Sequence, residues 1–318
     1  MAFVMALAAT AVIIGAFHAT AAKTRLPLAM PVAATLPAST CTETVPGERT
    51  CELWAKPGSL SLPDGTTAPI WGFTAAQADA AAVPGPALIF NEGDIVTVVF
   101  HNEISNENIS LDFTGQPAAP DLTGIAAGGT VTYTFTADSP GTFKYEAGLT
   151  PNGMRQVAMG LAGAMIVRPT TPGAAYNDPA TVYDDEALLV LSEIDPEFNV
   201  DPNNFIMTQY TPKYWLINGK AYSETEKILT DGGNTVLLRI VNAGLQEHSL
   251  GVLGMHQTVI AGDGYAKPIP PDVIAYTLGA GETADTLVDI PADAAINTHY
   301  AIYNTGYQSN LSSGGGLS

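Results

Sequence analysis

The sequence predicts an all-β fold of two β-sandwich domains, preceded by an apolar N-terminal helix. Short β-rich runs such as IVTVVF (95–100) and VLLRIV (236–241) recur between turns rich in Gly, Pro and Asn, which is typical of sandwiches. Pro-rich segments near 169–181 and 196–212 divide these runs into two groups. A length of 318 residues also suits about two domains, each with its own core.

The first 50 residues are expected to lie outside the sandwiches. Residues 2–22 carry no charge and end in small residues, so residues 1–22 are interpreted as a transmembrane anchor or a signal peptide. Residues 23–50 are rich in Pro, Ala and Thr without periodicity, which predicts an extended tether.

Cys41 and Cys51 are the only cysteines and are ten positions apart in a segment that can bend back on itself. We expect them to form a disulfide, which would stabilise the chain by about 2–3 kcal/mol and indicates an extracytoplasmic location. Neither zinc sites nor thioredoxin-type chemistry is supported, because no C-x-x-C or Cys/His cluster is present.

The remaining chain divides into four parts. The expected boundaries are 51–170 for the first sandwich, 171–213 for a linker, 214–308 for the second sandwich and 309–318 for a Ser/Gly tail. The tail is flexible by composition.

The charge balance restricts the function. Asp and Glu number 31 against 12 Lys and Arg, so the formal net charge is −19. A chain this acidic repels polyanions, which excludes nucleic acid and disfavours anionic membrane surfaces. Its 46% apolar and 14% charged residues also exclude charge-driven disorder.

Two groups of motifs resemble the first two cupredoxin domains of multicopper oxidases. The first group comprises PGP (84–86), NEGDIV (91–96), GTFKY (141–145) and GLAGAMIV (160–167). The second comprises INGK (217–220), RIVNAG (239–244), VIAGDG (259–264) and GE (281–282). The resemblance implies two Greek-key cupredoxin-like domains.

The same resemblance locates the copper ligands, and here this sequence departs from the family. The family's S-I-H-W-H-G is SLDFTG, so the histidine positions hold Asp112 and Thr114. Its W-Y-H-S-H is KYEAG, so the other two hold Glu146 and Gly148. No cysteine follows residue 51 to build a blue-copper site. The sequence therefore predicts no copper, no other cofactor, no catalytic residue and no enzymatic activity.

Other metal or catalytic interpretations of these residues receive less support. Asp112 and Glu146 could bind a hard cation or act as a general acid and base, but two carboxylates do not complete a calcium cage. His248, Met255 and His256, or the group Met154, Met159 and Met165, could hold copper loosely. Drift of former ligands to polar residues is the favoured interpretation.

The function predicted from the sequence is a copper-free accessory subunit on the extracytoplasmic face of a membrane. The expected partner is an integral membrane complex, such as a respiratory or photosynthetic electron-transport complex, contacted at the membrane through residues 1–22. The acidic surface could also dock a basic electron carrier. The alternatives are a copper-binding or multicopper-oxidase-type redox protein and a secreted binding module.

Overall fold

The computed structural model describes residues 12–17, 40–222 and 224–306. One strand, β1 (Val12–Phe17), precedes the two sandwiches. The strands of the first domain are β2 (Thr42–Val45), β3 (Glu48–Ser61), β4 (Thr67–Thr74), β5 (Leu88–Asn91), β6 (Ile95–Asn102), β7 (Leu111–Phe113), β8 (Thr130–Thr136), β9 (Gly141–Ala147) and β10 (Ala162–Arg168).

The first domain packs two sheets face to face. One sheet has the order β2-β3-β6-β8 with β4 beside β3, and the other has the order β5-β10-β9-β7. The sequence alternation of β6 explains the packing, because Val96, Val98 and Phe100 are fully buried while Thr97 and Val99 are partly exposed. A period of two directs one face of the strand into the core.

The second domain repeats this arrangement. Its strands are β11 (Asp185–Ile194), β12 (Tyr214–Ile217), β13 (Ile228–Asp231), β14 (Thr235–Asn242), β15 (His248–Val252), β16 (Gln257–Gly262), β17 (Tyr265–Ala266), β18 (Asp272–Val273), β19 (Ala275–Leu278), β20 (Thr283–Asp289) and β21 (Thr298–Asn304). One sheet has the order β12-β11-β14-β20-β16-β17, with β18 beside β16. The other has the order β13-β1-β21-β15-β19, so β1 belongs to the second domain.

The helices of the described residues are short. They are α1 (Gly153–Ala158), α2 (Pro196–Val200) and two 3₁₀ turns at Pro179–Thr181 and Met207–Gln209. Asp195 caps α2 by accepting hydrogen bonds from the backbone N–H groups of Glu197 and Phe198, and a proline at the first helical position favours the start there.

The expected all-β fold of two sandwich domains is confirmed, and the structure differs from the expected segments in two places. β2 and the start of β3 lie within the range 23–50 assigned to the tether, and β11 lies inside the range 171–213 assigned to a linker. β11 is a central strand, paired with β12 and β14. The second domain therefore begins before residue 214.

The N-terminal prediction is only partly covered by the structure. Most of residues 1–22, most of the tether and the tail lie outside the described residues, so the anchor and leader alternatives stay predictions. The six described residues of the first segment, Val12–Phe17, form a strand. In the described parts of the chain, no helix has the length and apolar character needed to cross a bilayer.

Candidate functional site

The four positions that correspond to the family's copper ligands lie on two neighbouring strands of the first domain. Asp112 on β7 and Glu146 on β9 are directly opposite each other in the antiparallel ladder. Opposite residues of such a ladder share one face of the sheet, so the two carboxylates lie side by side. Thr114 and Gly148 immediately follow the ends of the same two strands.

A lysine forms an ion pair with one of the two carboxylates. Lys144 is two residues before Glu146 on β9 and therefore on the same face, and its Nζ is 2.6 Å from Oε2 of Glu146. The lysine is buried, with 6% exposure. We call Asp112, Lys144 and Glu146 the β7–β9 charge cluster.

The surroundings of Glu146 favour the protonated form of its carboxyl group more than water would. Burial raises the pKa of the Glu146 carboxyl above its ordinary value, the Lys144 ammonium offsets part of this effect, and the negative charge of Asp112 adds to it. The pKa of Glu146 is thus raised by burial and by a neighbouring negative charge, and the single ion pair with Lys144 does not cancel these two effects.

The other two positions offer little coordinating capacity. The hydroxyl of Thr114 donates to Oδ2 of Asp112 at 3.3 Å. Gly148 is closed off, because a Cβ there would lie 2.4 Å from Oγ of Ser110 and 3.1 Å from the carbonyl carbon of Leu111. A larger side chain at residue 148 would need the segment at Ser110 to move.

Copper does not fit these four positions. Protein copper centres are built from imidazole and sulfur ligands, whereas the donors here are two carboxylates, a hydroxyl and a glycine, and an ammonium group already neutralises one carboxylate. Across residues 12–17, 40–222 and 224–306, no group of three or more His, Cys, Asp or Glu side chains is arranged to hold a metal ion.

The weaker copper candidates already have separate partners. His248 is buried on β15, and its Nε2 is 3.5 Å from Oε2 of Glu193. His256 is exposed, and its Nδ1 is 2.7 Å from Oδ2 of Asp272. Met255 is buried in the core of the second domain. The structure gives these three side chains no shared ligand site.

The buried Glu193 is a polar residue that sequence reasoning did not identify. Its side chain is inaccessible, and its Oε1 accepts hydrogen bonds from the backbone N–H groups of Leu245 and Gln246. Gly244 makes room for it, because a Cβ at that position would overlap the carboxylate. The glycine of the RIVNAG motif thus permits the close approach of a charged side chain.

A second unpredicted feature is the ionic network between the domains. Arg239 of β14 is fully buried, ion-pairs with Glu186 of β11, and donates from Nη1 to Oγ1 of Thr142 at 2.9 Å. The same guanidinium lies 3.4 Å from Oδ2 of Asp285. Thr142 belongs to the first domain, so this network crosses the domain interface. The sequence indication was a single arginine within the apolar run VLLRIV.

Two further side chains complete the network. Asp285 accepts hydrogen bonds from the hydroxyls of Thr142 and Tyr176, and Arg168 forms an ion pair of 2.7 Å with Glu186. Burial alone would raise the pKa of Glu186, but the positive charges of Arg239 and Arg168 outweigh it and hold that pKa below its ordinary value.

A cleft of about 480 Å³ lies where the two domains meet. The first domain contributes the turn Pro84–Ala87 and Ala164, and the second contributes residues from β11, from Ile217 and Asn218, and from the segment 226–228. Its lining is mostly apolar, with Glu226 and Lys227 as charged groups. The volume is in the range of small-molecule sites.

Both halves of the chain match known domain families. Residues 63–172 and residues 196–315 each match a family described as "Multicopper oxidase". The two matches together cover most of the chain and correspond to the two sandwiches.

Curated relatives include plant laccases. Laccase-13 of Arabidopsis thaliana is 31% identical over 252 residues, which cover 71% of this chain and 42% of the relative. Laccase-25 of Oryza sativa subsp. japonica is 29% identical over 254 residues, which cover 69% of this chain and 40% of the relative. The chain thus spans about two fifths of the length of these relatives.

Solved structures share the fold. A blue copper oxidase from Nitrosomonas europaea superimposes with a TM-score of 0.72 at 23% identity, covering 83% of this chain and 80% of that one. A copper nitrite reductase from the same organism gives a TM-score of 0.67 at 25% identity, covering 83% and 91%. These similarities confirm two cupredoxin-like domains.

The comparisons correct one prediction. The four non-histidine ligand positions led us to expect a protein without enzymatic activity, and that expectation is wrong, because relatives matched over most of the chain are named as laccases and oxidases. Substitutions at one site were too narrow a basis for a conclusion about the whole protein.

Proposed function

The chain belongs to the multicopper oxidase family, and from that premise we propose that it works as an oxidoreductase of the multicopper-oxidase type. The family match in both domains, in chain order, is the observation that carries this proposal. Because the four first-domain positions do not fit copper, the proposal assigns no metal-binding role to Asp112, Thr114, Glu146 and Gly148.

The cleft between the domains is our proposed binding place for the organic electron donor. Its volume of about 480 Å³ suits a small molecule, and its apolar walls favour an aromatic or aliphatic body over a highly charged one. Lys227 and Glu226 supply polar groups that could orient such a molecule.

Oxygen uptake by the protein purified from its native source tests the oxidoreductase activity. With 2,6-dimethoxyphenol as the probe, we expect oxygen consumption that accompanies oxidation of the phenol, and elemental analysis of the same sample identifies any metal. Absence of both oxygen uptake and a redox-active group would contradict the proposal.

A cleft-filling variant tests the binding place separately. Leu188 lines the cleft and is half-buried, so Leu188→Trp should raise KM for the phenol about fivefold or more while kcat changes little. Leu253→Trp is the matched control, because Leu253 is 59% exposed and is not among the cleft residues. Equal KM values in the two variants would show that the phenol does not bind in this cleft.

We also propose an extracytoplasmic location. Cys41 and Cys51 form a disulfide with an S–S distance of 2.02 Å, and no cysteine of the described residues is free. Disulfides persist in oxidising compartments. Thiol alkylation of intact cells followed by mass analysis should find both cysteines unmodified until a reductant is added. Direct alkylation would indicate a reducing compartment.

A further inference from the structure

The last strand of the first domain, β10, can be compared with the strand at the corresponding place in the second domain. β10 lies between β5 and β9, parallel to β5 and antiparallel to β9. It therefore satisfies the backbone of two strands that would otherwise present open edges. In the described residues, the next strand along the chain, β11, already belongs to the second domain.

Two strands of the second domain, β13 and β21, match β5 and β9 of the first domain in length. β5 and β13 each contain four residues, and three residues separate each from the following strand. β9 and β21 each contain seven residues. β9 also pairs with β7, which follows β5 and β6 in the chain, and β21 pairs with β15, which follows β13 and β14.

The position between β13 and β21 is occupied by β1. β1 runs parallel to β13 and antiparallel to β21, as β10 does with β5 and β9. The strand comes from the beginning of the chain, more than 200 residues before its partners.

The register agrees as well as the direction. Met165 of β10 lies opposite Leu88, the first residue of β5, and opposite Phe143, the third residue of β9. In the second domain, Ile14 lies opposite Ile228, the first residue of β13.

The second contact of β1 gives the same alignment. Ile14 lies opposite Tyr300, the third residue of β21. Both contacts therefore align Ile14 with Met165. A register shift of one residue would move every side chain to the other face, so agreement at two independent partners argues for a specific fit.

We propose that the second domain has a strand-acceptor site between β13 and β21, and that Val12–Phe17 of the same chain is its ligand. The site recognises an apolar strand through backbone hydrogen bonds on both sides, which is the chemistry of strand addition to sheet edges. The sequence VIIGAF, uncharged and rich in β-branched residues, suits a strand paired on both edges.

This assignment excludes one use of the same residues. A backbone hydrogen-bonded to β13 and β21 cannot at the same time form the helical hydrogen bonds of a membrane anchor. In the assembled protein the segment therefore serves the second domain.

Paired cysteines in the full-length chain test the proposal. The native cysteines are joined to each other, so two added thiols can pair only with one another in the folded chain. Ile14→Cys with Tyr300→Cys places thiols directly opposite in an antiparallel ladder. Gly15→Cys with Tyr300→Cys is the matched control, because a one-residue offset puts the side chains on opposite faces.

We expect at least tenfold more cross-linked chain from the 14/300 pair than from the 15/300 pair, measured by peptide mass spectrometry without reductant. The cross-linked product should be a monomer. Equal yields from the two pairs would overturn the proposed register between β1 and β21. A disulfide-linked dimer would show that the strand comes from a second copy. A mature chain that lacks residues 12–17 would show that Val12–Phe17 is not the bound strand.

Hydrogen exchange on the unmodified chain covers the case in which a cysteine variant fails to fold. Slow amide exchange at residues 12–17 is expected, with Ile14→Pro increasing exchange in β13 and β21 but leaving β5 and β10 as in the original chain. Fast exchange at residues 12–17 in the original chain, or no response of β13 and β21 to the proline, would overturn the proposal.

Discussion

The charge of Lys144 has a larger effect than that of an ordinary surface lysine, because its side chain is buried and its ammonium forms an ion pair of 2.6 Å with Glu146. Lys144→Met leaves the Glu146 carboxylate without this partner and still beside the negative charge of Asp112. We expect the free energy of unfolding to fall by about 3 kcal/mol, near the lower end for breaking a buried pair. Urea unfolding at neutral pH measures the change.

The matched control for this variant is Lys213→Met. Lys213 forms a pair of 2.9 Å with Glu197, but their side chains are 55% and 75% exposed. Exposed pairs contribute about 0–1 kcal/mol, so a small loss is expected. Similar losses in the two variants would show that the burial of Lys144 has no energetic consequence.

Glu186 makes the protein sensitive to acid. Its pKa in the folded chain lies below the ordinary value of 4.5, so its stabilising effect is complete above about pH 4.5 and is lost as the pH falls through the lower, folded-state pKa. Glu186→Gln should be less stable at pH 7 and should lose less further stability between pH 5 and the acid transition. Urea unfolding across this range measures both effects.

Glu226→Gln serves as the control for acid sensitivity. Glu226 pairs with Lys220 at 2.6 Å but is 71% exposed, so the acid slope of this variant should remain that of the original chain. If stability falls with acid as steeply in Glu186→Gln as in the original chain, other carboxylates cause the acid sensitivity.

The residues of the charge cluster were only partly predictable. The motif positions alone predict that Asp112 and Glu146 lie near each other, because the family pattern carries strand register implicitly. Lys144 stands in the same motif, but its role depends on the rotamer that brings Nζ to Glu146, and sequence spacing does not determine that. Glu193 was missed for the same reason, since its partners are backbone groups 52 and 53 residues away.

At the level of elements, the end of β9 is sterically closed. A Cβ on Gly148 would lie 2.4 Å from Oγ of Ser110, so Gly148→Ala should destabilise the domain by about 1–3 kcal/mol through overpacking. Gly262→Ala is the control, because its nearest neighbour would be at an ordinary 3.6 Å. Thermal unfolding of both variants measures the effect. If overpacking is the cause, the melting temperature falls in Gly148→Ala and not in Gly262→Ala. If the only effect of alanine were to reduce backbone freedom, the melting temperature of Gly148→Ala would not fall.

Most strands were predictable because they alternate or because they are short apolar runs between turn residues. β6 and β14 follow the predicted segments closely. β11 was assigned to a linker because Pro-rich segments flank it on both sides, although its own sequence is apolar and pairs with β14 along seven residues. Val12–Phe17 was expected to be helical because an uncharged run indicates hydrophobicity without specifying what the backbone pairs with.

At the level of the whole molecule, the two sandwiches should unfold together because an ion network centred on the fully buried Arg239 joins them. Arg239→Met and Thr142→Val each remove one side of the contact at 2.9 Å. A double-mutant cycle should give a coupling energy of about 1 kcal/mol or more, and calorimetry of Arg239→Met should separate one transition into two.

The control cycle combines Thr142→Val with Arg49→Met. Arg49 pairs with Glu43 and Asp94 inside the first domain, so these two changes should be additive. A coupling equal to that of the Arg239 pair would mean that the measured energy comes from general destabilisation and not from the interdomain contact.

The origin of β1 at the start of the chain has a consequence for synthesis on the ribosome. Val12–Phe17 is translated long before β13 and β21 exist, so this strand has no partner while the first domain folds. The contacts that complete the second domain are among the most distant in sequence, and such contacts form late and slowly. During that interval an apolar strand with two unpaired edges is available to chaperones, to the secretion machinery or to another nascent copy. The order in which the chain emerges therefore leaves this segment open to misassembly until β13 and β21 have been made.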